Sequence, residues 1–385
     1  MHLTFGKIRS SLKLSAMIVP GVIARVWCKD IWIITERRDQ ARDNGYIFFR
    51  YLREHHPELR VYYIIDRDAS DLKKIVPYGN IIYSESWLHY FCFVCSRIHI
   101  SAHTGFGCPR EAVIIHWLKK ILGFKNVFLP HGVSYGIAPF CLEEEAKIDL
   151  FLCSGKPEYE NVLTNYGYTS AQVAYTGLPR LDEWHHITVN PKQIVLMPTW
   201  RMYLSRDPNL TFELTEYFRT YQSLINNGEL RQFLEENNLK LVFYSHHEMQ
   251  KFSRFFSVDC PNIEIVVQDD QYDIQKLLKE SALLITDYSS VHFDFAYMDK
   301  PVIYYLFDRD EFFTRQYRKT EFDAEKDGFG PVAESEKELI QKLKNSYQAH
   351  FQLSDFYYTR MRRFYQLYDE HNCERVFSEI TERLT

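Results

Sequence analysis

The sequence of 385 residues lacks the motifs that mark several large enzyme classes. It has no G-x-x-x-x-G-K-S/T phosphate loop, no G-x-G-x-x-G dinucleotide fingerprint and no G-x-S-x-G nucleophile elbow. Kinase-like, dehydrogenase-like and hydrolase-like assignments therefore lose their main support. Internal repeats and low-complexity linkers are also absent, which argues against repeat proteins and disordered chains.

Cysteine is sparse and dispersed, with eight residues that lie mostly in apolar segments. This spacing is not that of a disulfide scaffold and indicates a reducing cytoplasm. Cys92 and Cys95 form a C-x-x-C in the aromatic run "YFCFVCSRIHI" without a second pair at zinc spacing. We expect buried thiols there and assign no metal or redox role.

Charge of one sign is not in excess, because the formal net charge is only -5. This balance gives no indication of a nucleic-acid partner. Hydrophobic residues make up 46% of the chain and aromatic residues 16%, which is enough for two substantial cores.

The N-terminal 28 residues contain no apolar run long enough to span a bilayer, because Pro20 and Gly21 interrupt a short one. Arg25 follows directly, and no small-residue cleavage site of a signal peptide is clear. Two interpretations stay open. The segment is either a basic, partly amphipathic helix on an anionic inner leaflet or an ordinary packed first helix.

Strand-like and helix-like segments alternate in two regions, which is typical of α/β domains with parallel sheets. The breaker-rich segment "YTGLPRLDEWHHITVNPKQ" separates them near residues 177–190. We predict a lead segment over 1–28 and Rossmann-like domains over 29–186 and 187–385, with terminal helices that pack back. The strand candidates are 30–35, 60–66, 80–84, 97–102, 126–130 and 149–154 in the first region, and 193–198, 240–245, 263–268, 282–286 and 301–306 in the second.

Ligands of doubly wound sheets bind beyond the carboxyl ends of the strands, so polar residues at those ends are candidates. Asp287, Ser289 and Ser290 follow the strand "ALLIT", where a helix that starts near Val291 would have its N-cap. Hydroxyls and free backbone N–H groups there can bind a phosphate. The alternative, that these residues only cap the helix, stays open.

Two histidines also follow strands. His131 precedes Gly132 in "LPHGVSYG", and at neutral pH it can accept a proton from an attacking hydroxyl, although a purely structural histidine is the alternative. His246 continues the strand of "FYSHHEM" and can face a ligand, whereas His247 and Glu248 start the next helix.

Arginine and acidic residues at other strand ends have competing explanations. Arg201 and Thr199 of "MPTWR" offer donors suited to phosphate oxygens, and a surface salt bridge is the alternative for Arg201. The segment 36–44 could bind an acceptor, but capping of the next helix by Asp43 or Asn44 is favoured. Two "DRD" triplets, at 66–68 and 308–310, are too short to indicate a metal site.

Several motifs, taken in order, resemble the CDP-glycerol glycerophosphotransferases of bacterial teichoic acid and capsule synthesis. They are "ARDNGYIFF", "PHGVSYG", "TGLPRLD", "MPTWR", "FYSHHEM", "YDIQKLLKESALLITDYSSVHFDFAYMDKPVIYYLFD" and "DGFGPV". The resemblance runs from about residue 31 to 377, and its most specific part is Tyr272 to Asp308. It implies the glycosyltransferase B architecture of two facing Rossmann-like domains, with an acceptor-side N-terminal domain and a C-terminal domain that binds the CDP donor.

The implied reaction is transfer of glycerol phosphate from CDP-glycerol to a hydroxyl of a membrane-bound teichoic acid or capsular polymer acceptor, with release of CMP. The sequence shows no required cofactor. The basic lead segment and the lipid-linked acceptor together favour a peripheral location on the cytoplasmic face of the membrane. His131 matches the catalytic base and His246 the histidine near the donor phosphates. The donor-side matches are Thr199, Arg201, Asp287, Ser289, Ser290 and Asp308, and Gly132 accompanies His131 in the substrate-binding set.

The sequence departs from the family pattern at two places. The family often has Thr-Pro-Leu-Lys where this chain has residues 133–136, which leaves the acceptor open, and a proline where this chain has Ser245. A transferase of the same fold that uses CDP-ribitol or a nucleotide sugar is the alternative. The non-enzymatic alternative is a peripheral membrane scaffold with a degenerate site.

Overall fold

The computed structural model describes residues 5–28, 30–109, 115–133, 136–207, 209–266, 273–316 and 322–385. The chain forms two compact units. The first contains Met1–Glu183 together with Tyr365–Thr385, and the second contains Trp184–Phe364.

The first unit is built on a sheet of seven parallel strands in the order β3-β2-β1-β4-β5-β6-β7. Apolar side chains fill both faces of the central strands, as the uninterrupted burial of β1 and β6 shows. Such continuous apolar runs are typical of strands that helices cover on both sides. The strands are β1 (Ile31–Thr35), β2 (Arg60–Ile65), β3 (Ile81–Tyr83), β4 (Ile98–Ser101), β5 (Lys125–Phe128), β6 (Leu150–Cys153) and β7 (Val173–Tyr175).

Among the described residues of Met1–Glu183, seven segments are α-helical. They are α1 (Phe5–Ala24), α2 (Asn44–His55), α3 (Leu72–Ile75), α4 (Trp87–Cys95), α5 (Ile115–Leu122), α6 (Glu143–Ala146) and α7 (Lys156–Asn165), with 3-10 turns at Val76–Tyr78, Pro139–Cys141 and Pro179–Glu183. The α4 helix holds the C-x-x-C, and both of its thiols are buried and free, which confirms that prediction.

The second unit has six parallel strands in the order β10-β9-β8-β11-β12-β13. They are β8 (Asn190–Leu196), β9 (Lys240–Tyr244), β10 (Ile263–Val266), β11 (Ser281–Thr286), β12 (Val302–Tyr305) and β13 (Val332–Ala333). Its helices are α8 (Met202–Ser205), α9 (Glu216–Asn226), α10 (Gly228–Glu236), α11 (Ile274–Glu280), α12 (Val291–Tyr297), α13 (Arg309–Arg315), α14 (Glu336–Gln348) and α15 (Asp355–Phe364), with 3-10 segments at Phe212–Leu214 and His247–Phe255.

The last helix, α16 (Asn372–Leu384), belongs to the first unit. The backbone N–H groups of Asn372 and Cys373 donate to the Asp182 carboxylate at 2.8 and 2.9 Å. Gly177 makes this contact sterically feasible, since a Cβ there would lie 1.7 Å from Oδ1 of Asn372, and its φ of 75° also favours glycine. The predicted division placed both terminal helices in the second domain, whereas α15 lies in the second unit and α16 in the first, and it set the boundary three residues later.

The α1 helix packs on α4 through one face. Leu14 is buried there, and a Cβ on Gly21 would lie 2.6 Å from Cγ1 of Val94, so only glycine allows the close approach. Lys13 donates to the carbonyl of Glu85 at 2.9 Å. The interpretation of an ordinary packed first helix therefore accounts for this face of α1. It does not account for the opposite face, which is apolar and exposed. The exposed residues are Leu12, Val19, Val22 and Ile23, followed by Val26 and Trp27 just after the helix.

Candidate functional site

Counted from β8, the sheet of the second unit has the strand order of the dinucleotide-binding fold, 3-2-1-4-5-6. The sheet of the first unit has the same order counted from β1, with β7 added at one edge. The order reverses between β1 and β4, and between β8 and β11. Ligands of open α/β sheets bind outside the carboxyl ends of the strands at this switch point. The candidate site residues of each unit therefore have to be judged by their positions at these ends.

In the second unit, the switch point is organised around Arg201. Its Nε and one terminal nitrogen donate to the two carboxylate oxygens of Asp308 at 2.7 and 3.0 Å. The same terminal nitrogen donates to Asp287 at 2.9 Å, and the other donates to the carbonyl of Thr199 at 2.8 Å. The guanidinium thus joins the ends of β8, β11 and β12.

These four residues lie inside the protein. The side chains of Arg201 and Asp287 are 0% exposed and that of Asp308 is 2% exposed. Burial alone would lower the pKa of Arg201, but the charges of Asp287 and Asp308 outweigh it and raise the pKa well above its usual value. Since these donors of Arg201 go to protein acceptors, the guanidinium holds strand ends together. The ion pair is buried, so it is not the surface salt bridge that was the alternative for this residue.

The Asp287 carboxylate does not cap the next helix. Its Oδ1 accepts the backbone N–H groups of Thr199 at 2.7 Å and Tyr288 at 2.6 Å. The Tyr288 ring stacks on Phe312, with 3.9 Å between ring centroids, and covers the buried charges. The Thr199 hydroxyl is also buried, and within the described ranges it has no hydrogen-bond partner.

Ser289 and Ser290 lie at the surface above this cluster. Ser290 is exposed and is the N-cap residue of α12, yet its side chain makes no capping hydrogen bond. Ser289 is half-buried. The predicted helix start at Val291 is confirmed, and the capping explanation does not account for the Ser290 hydroxyl.

His246, at the end of β9, is next to the same strand ends. Its ring stacks on Trp200, with 5.8 Å between the centroids and 16° between the planes. Nδ1 accepts the backbone N–H of Glu248 at 3.2 Å. In the neutral ring the proton therefore lies on Nε2, which makes that atom a hydrogen-bond donor.

In the first unit, His131 follows β5 and is exposed. Its ring lies 5.6 Å from the ring of His103, measured between centroids. Desolvation and the neighbouring imidazole lower the pKa of His103 to about 4, so His103 is neutral at physiological pH. Gly132 follows in the same loop, whose residues 134 and 135 lie outside the described ranges.

Buried polar contacts fix the backbone of the His131 loop. Asn44 donates from Nδ2 to the carbonyl of Pro130 at 2.7 Å and accepts the backbone N–H of Arg180 at 3.0 Å. Arg180 in turn donates to the carbonyl of His131 and to the Asp43 carboxylate. Asp43 is the N-cap residue of α2 and accepts the N–H of Asn44 at 2.8 Å, so the favoured capping interpretation of this segment is confirmed.

Sequence reasoning missed the contributions of His103 and Arg180. His103 follows β4 and stands two residues before a glycine, so the strand-end criterion that selected His131 would have found it. Arg180 lies in the breaker-rich segment, where nothing in the local pattern indicates a partner some 137 residues earlier in the chain.

The described part of the chain contains no group of three or more His, Cys, Asp or Glu side chains that could hold a metal ion. In the "DRD" triplet at 308–310, Asp308 is engaged by Arg201. No helix within the described ranges is both long and apolar enough to cross a membrane.

Comparison with known families decides between the remaining assignments. The sequence profile of the family described as CDP-Glycerol:Poly(glycerophosphate) glycerophosphotransferase matches residues 22–382. The chain belongs to this family. It is therefore related to enzymes, which confirms the resemblance seen in the motifs, and CDP-glycerol is the donor in the family's description.

Two curated relatives are similar over most of the chain. The minor teichoic acid biosynthesis protein GgaB of Bacillus subtilis (strain 168) is 31% identical over 98% of this chain and 42% of its own length. The teichoic acid poly(glycerol phosphate) polymerase of the same strain is 24% identical over 88% of this chain and 46% of its own length. The chain thus spans less than half the length of these relatives.

Among solved structures, the wall teichoic acid polymerase TagF superimposes with a TM-score of 0.67 at 17% identity and covers 100% of both chains. This likeness concerns the fold. Together with the two parallel-sheet units, it confirms the predicted fold class of the glycosyltransferase B type.

Proposed function

We propose that the chain transfers glycerol phosphate from CDP-glycerol to a hydroxyl of a lipid-linked teichoic acid or capsular polymer acceptor and releases CMP. The observation that carries the proposal is the family match over residues 22–382. The switch-point chemistry of the second unit supports it, because hydroxyls and an imidazole donor surround the strand ends where a nucleotide would bind.

In this proposal, the acceptor oxygen attacks the phosphorus that bears the glycerol. A new P–O bond forms, the P–O bond to the CMP phosphate breaks, and CMP leaves with the electron pair. His131 takes the proton of the attacking hydroxyl. The first unit is then the acceptor side and the second unit the donor side, as the resemblance implied for 29–186 and 187–385.

The donor phosphates would contact Ser289, Ser290 and the imidazole of His246, all of which are at least partly exposed. The buried cluster would not contact the donor but would fix the ends of β8, β11 and β12. It consists of Thr199, Arg201, Asp287 and Asp308. Since phosphoryl transfer depends mainly on positioning and charge stabilisation, a rigid set of strand ends is a direct requirement of the reaction.

Donor choice tests this function. The full chain is incubated with a lipid-linked acceptor and with CDP-glycerol, CDP-ribitol or a UDP-sugar in parallel, and the released nucleotide is separated by chromatography. We expect CMP from CDP-glycerol. If CMP is released only from CDP-ribitol, or only UDP is released, CDP-glycerol is not the donor. If no nucleotide is released from any of the three, the scaffold alternative is favoured.

A peripheral position on the cytoplasmic face of the membrane belongs to the same proposal, because the acceptor carries a lipid. Its support is the exposed apolar face of α1, which lies opposite the face that packs on α4. Helices with one apolar face and nearby cations bind at the membrane interface.

Replacement of Leu12, Val19 and Ile23 by Gln should weaken vesicle binding by at least roughly tenfold, since burial of even one such side chain contributes about 1.5–3 kcal/mol. Co-sedimentation with phospholipid vesicles measures it, and circular dichroism checks the fold. The matched control is Val76→Gln, an exposed valine elsewhere in the first unit. Equal binding of the triple variant and the wild type would refute the role of this face.

A further inference from the structure

The first unit contains a pocket of about 510 Å³ that the proposed reaction does not use. Phe124 and Lys125 line it at the start of β5, Asp149 lines it just before β6, and Gln172 lines it just before β7. The pocket therefore lies at the amino ends of these strands. His131 follows the carboxyl end of β5, so the pocket is at the opposite edge of the same sheet.

The lining of this pocket, here called the lysine pocket, is unusually basic for a protein with a net negative charge. Its charged groups are four ammonium and two carboxylate groups, which leaves an excess of two positive charges. They are Lys119, Lys120, Lys125 and Lys147, with Glu143 and Asp149. A pocket with this excess attracts anions.

The carboxylates of the lysine pocket are already shared. Asp149 lies 2.6 Å from Nζ of Lys119 and 3.4 Å from Nζ of Lys125. Glu143 pairs with Lys147 at 3.2 Å. Burial lowers the pKa of Lys119 even though Asp149 raises it, so the local carboxylates do not fully compensate this ammonium. An additional anion would do so.

The helix α5, which contributes Lys119 and Lys120 to the lysine pocket, also carries exposed apolar residues. Trp117 and Ile121 of α5 are 59% and 57% exposed, and they stand one helical turn apart on the same face. Arg25, just after α1, donates to the carbonyl of Leu122 at the end of α5. The exposed Val26 and Trp27 follow Arg25 directly along the chain.

The combination of exposed apolar side chains and lysines favours a lipid head group over a soluble phosphate as the anion. A soluble phosphate would gain nothing from exposed tryptophans, whereas tryptophan at the level of lipid head groups and lysines near their phosphates are the features of an interfacial surface. The pocket also has enough volume for more than a single phosphate group.

We infer that the lysine pocket binds the phosphate of an anionic lipid head group. This inference rests on the proposed function only for the position at the membrane, and it adds a specific site and a lipid class to that position. The phosphate would bind Lys120 and Lys147, while Trp117 and Ile121 would enter the interface beside it.

The test uses the full chain and vesicles of phosphatidylcholine with or without phosphatidylglycerol. Lys120→Gln combined with Lys147→Gln should lower the partition constant on phosphatidylglycerol vesicles roughly 25-fold, because each lysine near an anionic surface contributes about fivefold. Binding to phosphatidylcholine alone should not change. The control is Lys73→Gln with Lys156→Gln, which removes the same charge beyond the carboxyl ends of β2 and β6 and should bind like the wild type.

Two results would overturn the inference. One is equal binding of the lysine-pocket variant and the control to phosphatidylglycerol vesicles. The other is calorimetric binding of inorganic phosphate that the variant loses while its vesicle binding persists, since the site would then take a soluble anion. CMP release, measured in parallel, separates this inference from the proposed reaction, because neither pair of substitutions touches the residues assigned to catalysis or donor binding.

Discussion

His131→Ala should lower turnover of CDP-glycerol by about 100- to 10,000-fold, the usual loss when a general base is removed. The side chain is exposed, and the contact of this residue with Arg180 is made by its backbone carbonyl, which alanine retains. The variant should therefore fold normally. Because His131 acts on the acceptor hydroxyl in the proposed mechanism, the dissociation constant for CDP-glycerol should stay within the error of the wild-type value.

The measurement is CMP release at saturating donor, with donor affinity determined separately by calorimetry. His55→Ala serves as the matched control, since His55 is also exposed but stands at the far end of α2, about 17 Å along the helix from Asn44. Wild-type turnover in the His131 variant would remove this residue from the mechanism. A selective loss of donor binding would instead move it to the donor side.

The strands could be predicted because each is a short apolar run between polar or breaker residues, and parallel strands covered on both faces require such runs. The eleven predicted strands are all present. The two that were missed are β7, with the sequence VAY, and β13, with the sequence VA. Alanine is depleted in strands, so neither run stands out as the similarly short β3, with the sequence IIY, does.

Which residues stand at strand ends could also be read from the sequence, but where their side chains go could not. Arg201 lies 86 residues from Asp287 and 107 from Asp308, and the three meet only because β11 pairs with both β8 and β12. From the sequence, an arginine that follows a strand is predicted to bind phosphate. The sheet order instead brings two carboxylates to this arginine, and they accept its hydrogen bonds. The same holds for Arg180 and Asp43, whose contact depends on the fold of the whole first unit.

Arg201→Met should destabilise the second unit by about 3–5 kcal/mol, the usual cost of removing one partner from a buried ion pair. Two carboxylates would remain buried without their common cation, and the ends of β8, β11 and β12 would lose their shared donor. Urea unfolding followed by circular dichroism measures the loss, with the two units fitted as separate transitions. Arg219→Met, at an exposed arginine on α9, is the control and should change stability by less than about 0.5 kcal/mol.

A triple variant decides whether charge is the cause. If uncompensated carboxylates cause the loss, Asp287→Asn and Asp308→Asn added to Arg201→Met should recover part of the stability, since neutral amides cost less to bury. Activity should stay low in the triple variant even where stability returns, because the strand ends beneath Ser289 and Ser290 no longer share one rigid donor. A stable and fully active Arg201→Met variant would contradict the assignment of Arg201 as the group that fixes the donor side.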